Sequence, residues 1–338
     1  MPTIGVIIVS YNTRELLCAC LESLRDCTLP LCVVVVDGAS ADGSAAMVRA
    51  AFPEVYLVEP GRNTGFAAGN NIGLERLGLV DQTTSRKSQV ASRKSQMELD
   101  LRPATCDYVL FLNPDTVVHP GAIEALAAFL EAHPRVGAVG PRLLNPDGTL
   151  QTAAFRFPTL AMTLIDLFPP GEFLPGRLYN SWWHGRYAQE RNGSAAFPID
   201  HPLGACILAR CEVVEQVGGM DEQFFMYSEE VDWCYRVRRA GWAIWQAPAA
   251  RVTHVGGAAT RQFRTRMLTA LYESRLRFFR KHYEPRFVRW HLRLVRAGML
   301  RATLLAWRDY LSGRLARDEL RARLWAYGII MHNAKCKM

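Results

Sequence analysis

No uninterrupted apolar run of about 18 residues occurs in the chain, so no membrane-spanning helix is expected. The start, Met1-Pro2-Thr3, offers no basic segment, no long apolar core and no small-residue cleavage site. No secretory leader is therefore expected. The nine cysteines are scattered, only Cys18 and Cys20 lie close together, and no CxxC pair occurs. That spacing argues against structural zinc and for reduced, buried thiols in a cytosolic chain. The stretch from Val80 to Thr105 has no aromatic residue and contains a short direct repeat, Ser85-Arg86-Lys87-Ser88-Gln89 and Ser92-Arg93-Lys94-Ser95-Gln96. It reads as a flexible insertion, about 80–105. No basic, glycine-rich phosphate loop follows the first apolar run, where Ser10-Tyr11-Asn12-Thr13 stands instead. This weighs against a nucleotidyltransferase. No nucleic-acid reader motif is found either, so no nucleic-acid partner is expected.

What is present is an ordinary globular composition over 338 residues, 49% hydrophobic and 21% charged. The net charge of +8 is unevenly placed. From Val255 onward 19 Lys or Arg face 5 Asp or Glu, which leaves the preceding body mildly acidic. The pattern predicts a body of residues 1–259 and a basic, amphipathic helical tail over 260–338. In the tail Arg289, Arg293 and Arg296 share one helical face, and Leu292, Val295 and Met299 help form another. Such a tail suits an anionic membrane surface, or helices packed on the body.

Short β-branched runs alternate with helical patterns. Ile4 to Val9, Cys32 to Val36, Val55 to Val58, Tyr108 to Leu112 and Val136 to Val139 read as strands. Between them, Thr13 can cap a helix carrying Leu17, Cys20, Leu21 and Leu24; Asp42-Gly43-Ser44 opens a second, and Asn63-Thr64-Gly65 a third. This order predicts right-handed βαβ units and a mostly parallel, Rossmann-like sheet flanked by helices. Ligands bind beyond the carboxyl ends of such strands, where Asp37, Asn63 and Asp115 fall. Pro158 to Ile199 reads as a long irregular crossing. Further on, Ala205 to Leu208 and Ala243 to Trp245 read as strands, and Ser228 can cap a helix from Glu229 to about Arg239.

The residues that carry chemistry lie in distant segments. Asp115, after the stiff turn Asn113-Pro114, can coordinate Mg2+ or Mn2+, whose other ligands would be phosphate oxygens and waters. It equally suits an Asx turn. His254, before Gly256-Gly257, suits a ligand or a structural role. Glu229, Glu230 and Asp232 offset a helix dipole. Glu230 also shares a face with Trp233, Cys234 and Val237, where partial desolvation would favour a base. Asp37 is a turn former, or an acceptor for the imide N–H of uracil or thymine. Gly65, Gly69 and Asn70 allow close backbone approach to a ligand, or tight helix–sheet packing.

The ordered set is specific. It comprises Val9-Ser10-Tyr11-Asn12, Val36-Asp37-Gly38-Ala39-Ser40, Asn63-Thr64-Gly65-Phe66, Phe111-Leu112-Asn113-Pro114-Asp115, Gly204-Ala205-Cys206, Gly218-Gly219-Met220-Asp221-Glu222, Ser228-Glu229-Glu230-Val231-Asp232 and His254-Val255-Gly256-Gly257. From about Thr3 to Ala259 the chain resembles family 2 inverting glycosyltransferases, and within them the bacterial rhamnosyltransferase branch.

The resemblance implies a GT-A fold, with a nucleotide-binding half at about 1–118 and an acceptor half at about 119–259. It implies a nucleoside-diphosphate sugar, dTDP- or UDP-linked, held by Ser10, Tyr11, Asn12, Asp37, Asn63, Gly65, Asn70, Asn113 and Asp115. Asp115 corresponds to the last acid of the DxD metal motif, and His254 to the histidine that completes the metal site for Mg2+ or Mn2+. Glu230 falls where the family places its catalytic Asp, with Glu229 and Asp232 as alternatives. Gly204 and Ala205 would face the acceptor. The sequence departs from the family pattern at Asn113, which replaces an Asp, at Glu230, one methylene longer, and at Gly38, in place of a frequent Asn. The implied activity is transfer of a sugar, rhamnose favoured, to a glycan or lipid-linked glycan in cell-surface polysaccharide synthesis. The implied location is the cytoplasmic face of the plasma membrane. Transfer of galactose, glucose or N-acetylglucosamine, and a non-catalytic nucleotide-sugar-binding homologue, are the alternatives.

Overall fold

The computed structural model describes residues 1–80, 106–169, 181–256 and 264–334. The insertion expected at 80–105 lies, but for its first residue, outside the described residues, as do Gly257 and the boundary expected at 259/260. The chain divides into two units. One comprises Met1–Phe155, Gln189–Phe225 and Glu229–Ala259; the other comprises Arg156–Ala188, Met226–Ser228 and Thr260–Met338.

The first unit begins as the apolar pattern dictates. Strands β1 (Ile4–Ser10), β2 (Leu31–Asp37), β3 (Tyr56–Val58) and β4 (Tyr108–Leu112) alternate with helices α1 (Arg14–Leu24), α2 (Ser44–Ala51) and α3 (Gly65–Arg76). They pair in parallel in the order β3-β2-β1-β4. Ser10 registers with Asp37, and Ile8 with Leu112, so the turns after β1, β2 and β4 share one edge. Helix α1 buries Leu17, Cys20, Leu21 and Leu24 as its spacing requires. Thr13 does not cap it: its hydroxyl pairs with Ser10 Oγ at 3.0 Å instead.

Helix α3 packs unusually close to β1. A Cβ on Gly69 would sit 2.6 Å from Val9 Cγ1, and one on Gly73 2.4 Å from Ile7 Cγ2. The two glycines, one helical turn apart, are the reason that face can approach the sheet.

Beyond β4 the sheet becomes mixed. Next come β5 (Thr116–Val118), α4 (Ala122–Ala132), β6 (Val136–Leu144), β7 (Leu150–Gln151) and β8 (Ala154–Phe155). They are followed by α6 (Gln189–Asn192), β9 (Phe197–Ile199), β10 (His201–Pro202), β11 (Cys206–Arg210), α7 (Cys211–Val217), α8 (Glu229–Arg239) and β12 (Ala243–His254). Strand β11 runs antiparallel between β4 and β6. Strand β12 is parallel to β6 and antiparallel to β5. It continues past the three residues expected and runs through Pro248, because a register shift between Ala247 and Arg251 removes the proline from the ladder. Helix α8 starts at Glu229 as expected. Ser228, however, has φ of 65° and lies outside the extended region a capping residue adopts.

The second unit is helical. Part of the segment expected to be irregular forms α5 (Leu160–Leu167), capped by Thr159, and a short turn at Trp182–His184. The tail forms α9 (Arg264–His282), α10 (Pro285–Leu311) and α11 (Arg317–Asn333). Leu167, Val295, Met299 and Ile330 make one core of this unit, and Ala306, Leu315 and Leu320 another. Of the three arginines placed on one face, Arg289 and Arg293 are exposed, whereas Arg296 turns in and donates to Ala334 O at the end of α11. No helix among the described residues is long and apolar enough to cross a membrane.

Candidate active site

Strand register assembles the site from segments far apart in sequence. Asn113 N donates to Ala205 O at 2.9 Å, so the loop entering β11 lies beside the turn leaving β4. A Cβ on Gly204 would meet Glu230 Cγ at 3.2 Å. The Glu230 side chain therefore lies against this loop, in space that a glycine leaves open. Trp233, one turn along α8, is fully buried and meets the Phe111 ring of β4 edge-on, 5.6 Å between centroids. Its indole N–H donates to Gly218 O at 3.1 Å. These two anchors hold the start of α8 over the end of β4.

The β5–β12 pairing brings His254 opposite Thr116, and Val255 N donates to Asp115 O at 3.0 Å. His254 Nε2 lies 3.3 Å from Asp115 Oδ1, with both residues buried. The other ring nitrogen is fixed by Gln151, a residue that no sequence motif singles out. Gln151 Oε1 accepts from His254 Nδ1 at 2.6 Å. The Gln151 amide N–H groups donate to His254 O at 3.1 Å and to Asn145 Oδ1 at 2.9 Å. With Nδ1–H so committed, Nε2 presents a lone pair to a carboxylate. Two acceptors that face each other call for a cation or an added proton between them. Nitrogen and oxygen donors suit Mg2+ or Mn2+, which takes few protein ligands and leaves positions for phosphate oxygens and water. Among the described residues no cluster of three or more His, Cys, Asp or Glu side chains forms a closed metal site.

Asp37 lies at the end of β2 and is 1% exposed. Its Oδ2 accepts from Ser40 N at 2.9 Å, while Oδ1 has no hydrogen-bond partner among the described residues. A buried, unsatisfied carboxylate oxygen is costly and fits an incoming N–H donor. Asn12 ties this loop in place, accepting from Ala41 N at 2.8 Å and donating its backbone N–H to Ser40 Oγ at 2.9 Å. Ser10 is buried, and its backbone carbonyl accepts from Gly38 N at 2.8 Å. A Cβ on Gly38 would press Asn63 Cα at 3.3 Å and Ser10 O at 3.4 Å, so glycine here allows the β1, β2 and β3 loops to close together. Tyr11 flanks that contact. Asn63 Oδ1 is used locally, accepting from Gly65 N at 3.0 Å.

Some residues do not join the edge. Asn70 is 1% exposed and donates to Phe66 O within α3, so its amide serves the helix. Gly65, at φ 81°, lies 2.4 Å from Phe225 O by its virtual Cβ; its freedom serves a close backbone contact with that loop. Asp232 is fully buried and accepts from Arg236 Nε at 2.9 Å. Arg236 in turn donates to Val217 O and Gly219 O, so this ion pair staples α8 to the loop after α7. Asn71, beside Asn70, binds that same loop through Met220 N and O at 2.8 Å each.

Burial separates the remaining carboxylates. Glu229 is buried, and its Oε2 has no hydrogen-bond partner among the described residues. Desolvation, and then the neighbouring charge of Glu230, push its pKa well above the ordinary range. Glu230, next along the helix, is only half-buried and has its side chain against the Gly204 loop.

The comparisons agree with this geometry at the level of fold and reaction class. The description "Glycosyltransferase like family 2" matches residues 2–279. A relative from Mycobacterium tuberculosis, N-acetylglucosaminyl-diphospho-decaprenol L-rhamnosyltransferase, is 32% identical over 250 residues, covering 74% of this chain and 75% of its own. The low-salt glycan biosynthesis hexosyltransferase Agl10 of Haloferax volcanii is 28% identical over 257 residues, covering 75% of this chain and 67% of its own. The mannosyltransferase PcManGT from Pyrobaculum calidifontis, solved with GDP-Man and Mn2+, matches 98% of this chain and 87% of its own, with a TM-score of 0.54 at 18% identity. The last likeness concerns the GT-A fold alone. The chain belongs to glycosyltransferase family 2, and it is a glycosyltransferase.

Proposed function

We propose that this enzyme transfers a deoxyhexose, rhamnose in the first instance, from a dTDP- or UDP-linked donor to a hydroxyl of a lipid-linked glycan, with inversion and with a divalent cation. The observation that carries the reading is the facing of His254 Nε2 and Asp115 Oδ1 across 3.3 Å, beside a turn that also touches the loop lined by Glu230. The acceptor class follows the Mycobacterium tuberculosis relative, whose name specifies a diphospho-decaprenol-linked N-acetylglucosamine. The polysaccharide role and a membrane-surface location follow the same lead.

In this reading Asp37 Oδ1 accepts the imide N–H of the pyrimidine, and Asn113 contacts the ribose or donor sugar. Asp115 and His254 would hold Mg2+ or Mn2+, which when bound neutralises charge gathering on the departing diphosphate. Glu230 takes the proton of the acceptor hydroxyl as its oxygen forms a bond to the anomeric carbon. The bond from that carbon to the diphosphate oxygen breaks on the opposite face. Fixing both partners along one edge supplies much of the rate.

The test is a product assay on the full chain. It uses dTDP-rhamnose and a diphospholipid-linked N-acetylglucosamine, with Mn2+ and with chelator. The reading expects rhamnosylated lipid and free dTDP only with metal, and loss of both in Glu230→Gln while donor still raises the melting temperature. Turnover near wild type in Glu230→Gln would remove Glu230 from the role. Hydrolysis of donor without transfer, or no donor binding at all, would turn the case to another sugar or to a binding protein.

A further inference from the structure

Helix α10 presents two faces. Leu292, Val295 and Met299 are buried within its unit. The outward face carries Trp290, Leu300, Leu304, Trp307 and Leu311, each at least 45% exposed and Leu311 78%. At about 100° of rotation per residue these side chains fall within a sector roughly 100° wide. Arg286, Arg289 and Arg293 continue the same sector toward the N-terminal end and are exposed. Over 27 residues the stripe is about 40 Å long. An outward apolar stripe of this kind marks an interaction surface.

The charges favour one occupant. Asp309 is the only acidic residue of α10, and Arg308 and Arg314 pair with it at 3.1 and 3.2 Å. A second copy laid parallel would oppose Arg289 and Arg293 to themselves. An antiparallel copy would set those arginines against Leu304 and Leu311. An anionic lipid surface accommodates both halves, with headgroups for the guanidinium groups and the acyl boundary for the leucines. Tryptophans near the two ends of the stripe are the residue type that favours the bilayer interface. The Arg293 guanidinium over the Trp290 ring, 4.8 Å from its centroid, shields charge at the boundary.

We propose that the outward stripe of α10 lies in the plane of an anionic bilayer and is the docking surface of this protein. This deepens the membrane-surface part of the proposed function and rests on it.

The experiment is flotation of the full chain with vesicles of phosphatidylglycerol and phosphatidylcholine, and with phosphatidylcholine alone. The variants are Leu304→Asp with Trp307→Asp, and Arg289→Glu with Arg293→Glu. All four positions are exposed, so circular dichroism is expected to be unchanged. The proposal expects binding to the anionic vesicles, weakened by salt. It expects a partition coefficient at least about tenfold lower in each double variant. Equal partitioning of wild type and variants, or no binding to anionic vesicles, overturns it. So does binding to phosphatidylcholine that matches binding to the anionic mixture. A dimer in sedimentation that the Asp variant abolishes, without vesicle binding, assigns the stripe to self-association and also overturns it. Transfer to a short-chain, detergent-soluble acceptor is measured in parallel. Its persistence in undocked variants separates a failure of docking from a failure of the sugar-transfer reading.

Discussion

Replacing Gln151 by Leu is the sharpest probe of the candidate metal pair, because the side chain touches neither donor sugar nor diphosphate in the proposed reading. It removes the acceptor that holds the His254 Nδ1 proton at 2.6 Å, and with it the bond to His254 O at 3.1 Å. The backbone of β7 stays paired with β6 through Leu143, so the hairpin that presents position 151 is retained. Freed from Gln151, the imidazole can rotate or carry its proton on Nε2, the nitrogen that should face the metal. Loss of such an orienting partner costs about 10–100-fold in metal affinity, equivalent to about 1.4–2.7 kcal/mol. The assay is Mn2+ titration of the full chain by electron paramagnetic resonance, paired with nitrogen shifts of the His254 ring. Gln151→Glu retains an acceptor and should recover most of the affinity. If Gln151→Leu binds Mn2+ as tightly as wild type with its Nδ1 still protonated, Gln151 does not set the His254 tautomer and the orienting role given to it here is wrong.

Three further outcomes follow from the buried charges. Asp232→Asn should lower stability by about 1–3 kcal/mol in urea, a buried-pair cost discounted because Arg236 keeps partial solvent contact. Folded Asp232→Asn should still transfer sugar; complete loss of turnover with an unchanged melting curve would restore Asp232 as a base. The raised Glu229 pKa means the folded state holds a proton that the unfolded chain releases, so its stabilising effect is full below about 4.5 and is lost as pH rises toward the folded value. Glu229→Gln should gain in melting temperature relative to wild type from acid toward neutral pH, and a pH-independent difference would refute this. His291 has the opposite sign: burial holds its pKa down at about 3 against 6.5, so stability is lost as pH falls below 6.5. At pH 5 that deficit is about 2 kcal/mol, measured as the shift that His291→Gln removes from the unfolding profile.

The strand ends were legible in the sequence because β-branched runs bounded by turn residues leave few alternatives. Asp37 and Asp115 lie at the edge where alternating strands and helices require them. What stayed hidden depended on pairing between distant segments. Gln151 lies 103 residues from His254, on a two-residue strand with no periodicity of its own. The antiparallel run of β11 cannot be read from its letters, since a buried strand looks the same in either direction. Asn70 and Asn71 show the limit most closely. Their letters are identical, yet one serves its own helix and the other clasps a loop 149 residues away. Only the phase of α3 against the sheet separates them.

Backbone strain points to the same edge by an independent route. Among the described residues, the non-glycine positions with positive φ are Asn12, Ala39, Tyr227 and Ser228. Each costs on the order of 1 kcal/mol or more, and such costs persist where surrounding contacts over-determine them. Asn12 leaves β1 and is held by Ser40 and Ala41. Ala39 follows Asp37 and donates its N–H to that residue's carbonyl at 2.8 Å. Tyr227 and Ser228 immediately precede Glu229 and Glu230. Relaxing the first pair would let the Asp37 carboxylate swing away from its loop. Asn12 and Ala39 thus fall at the donor loops of the proposed reaction, whereas the long strands they leave carry no such residue among the described residues.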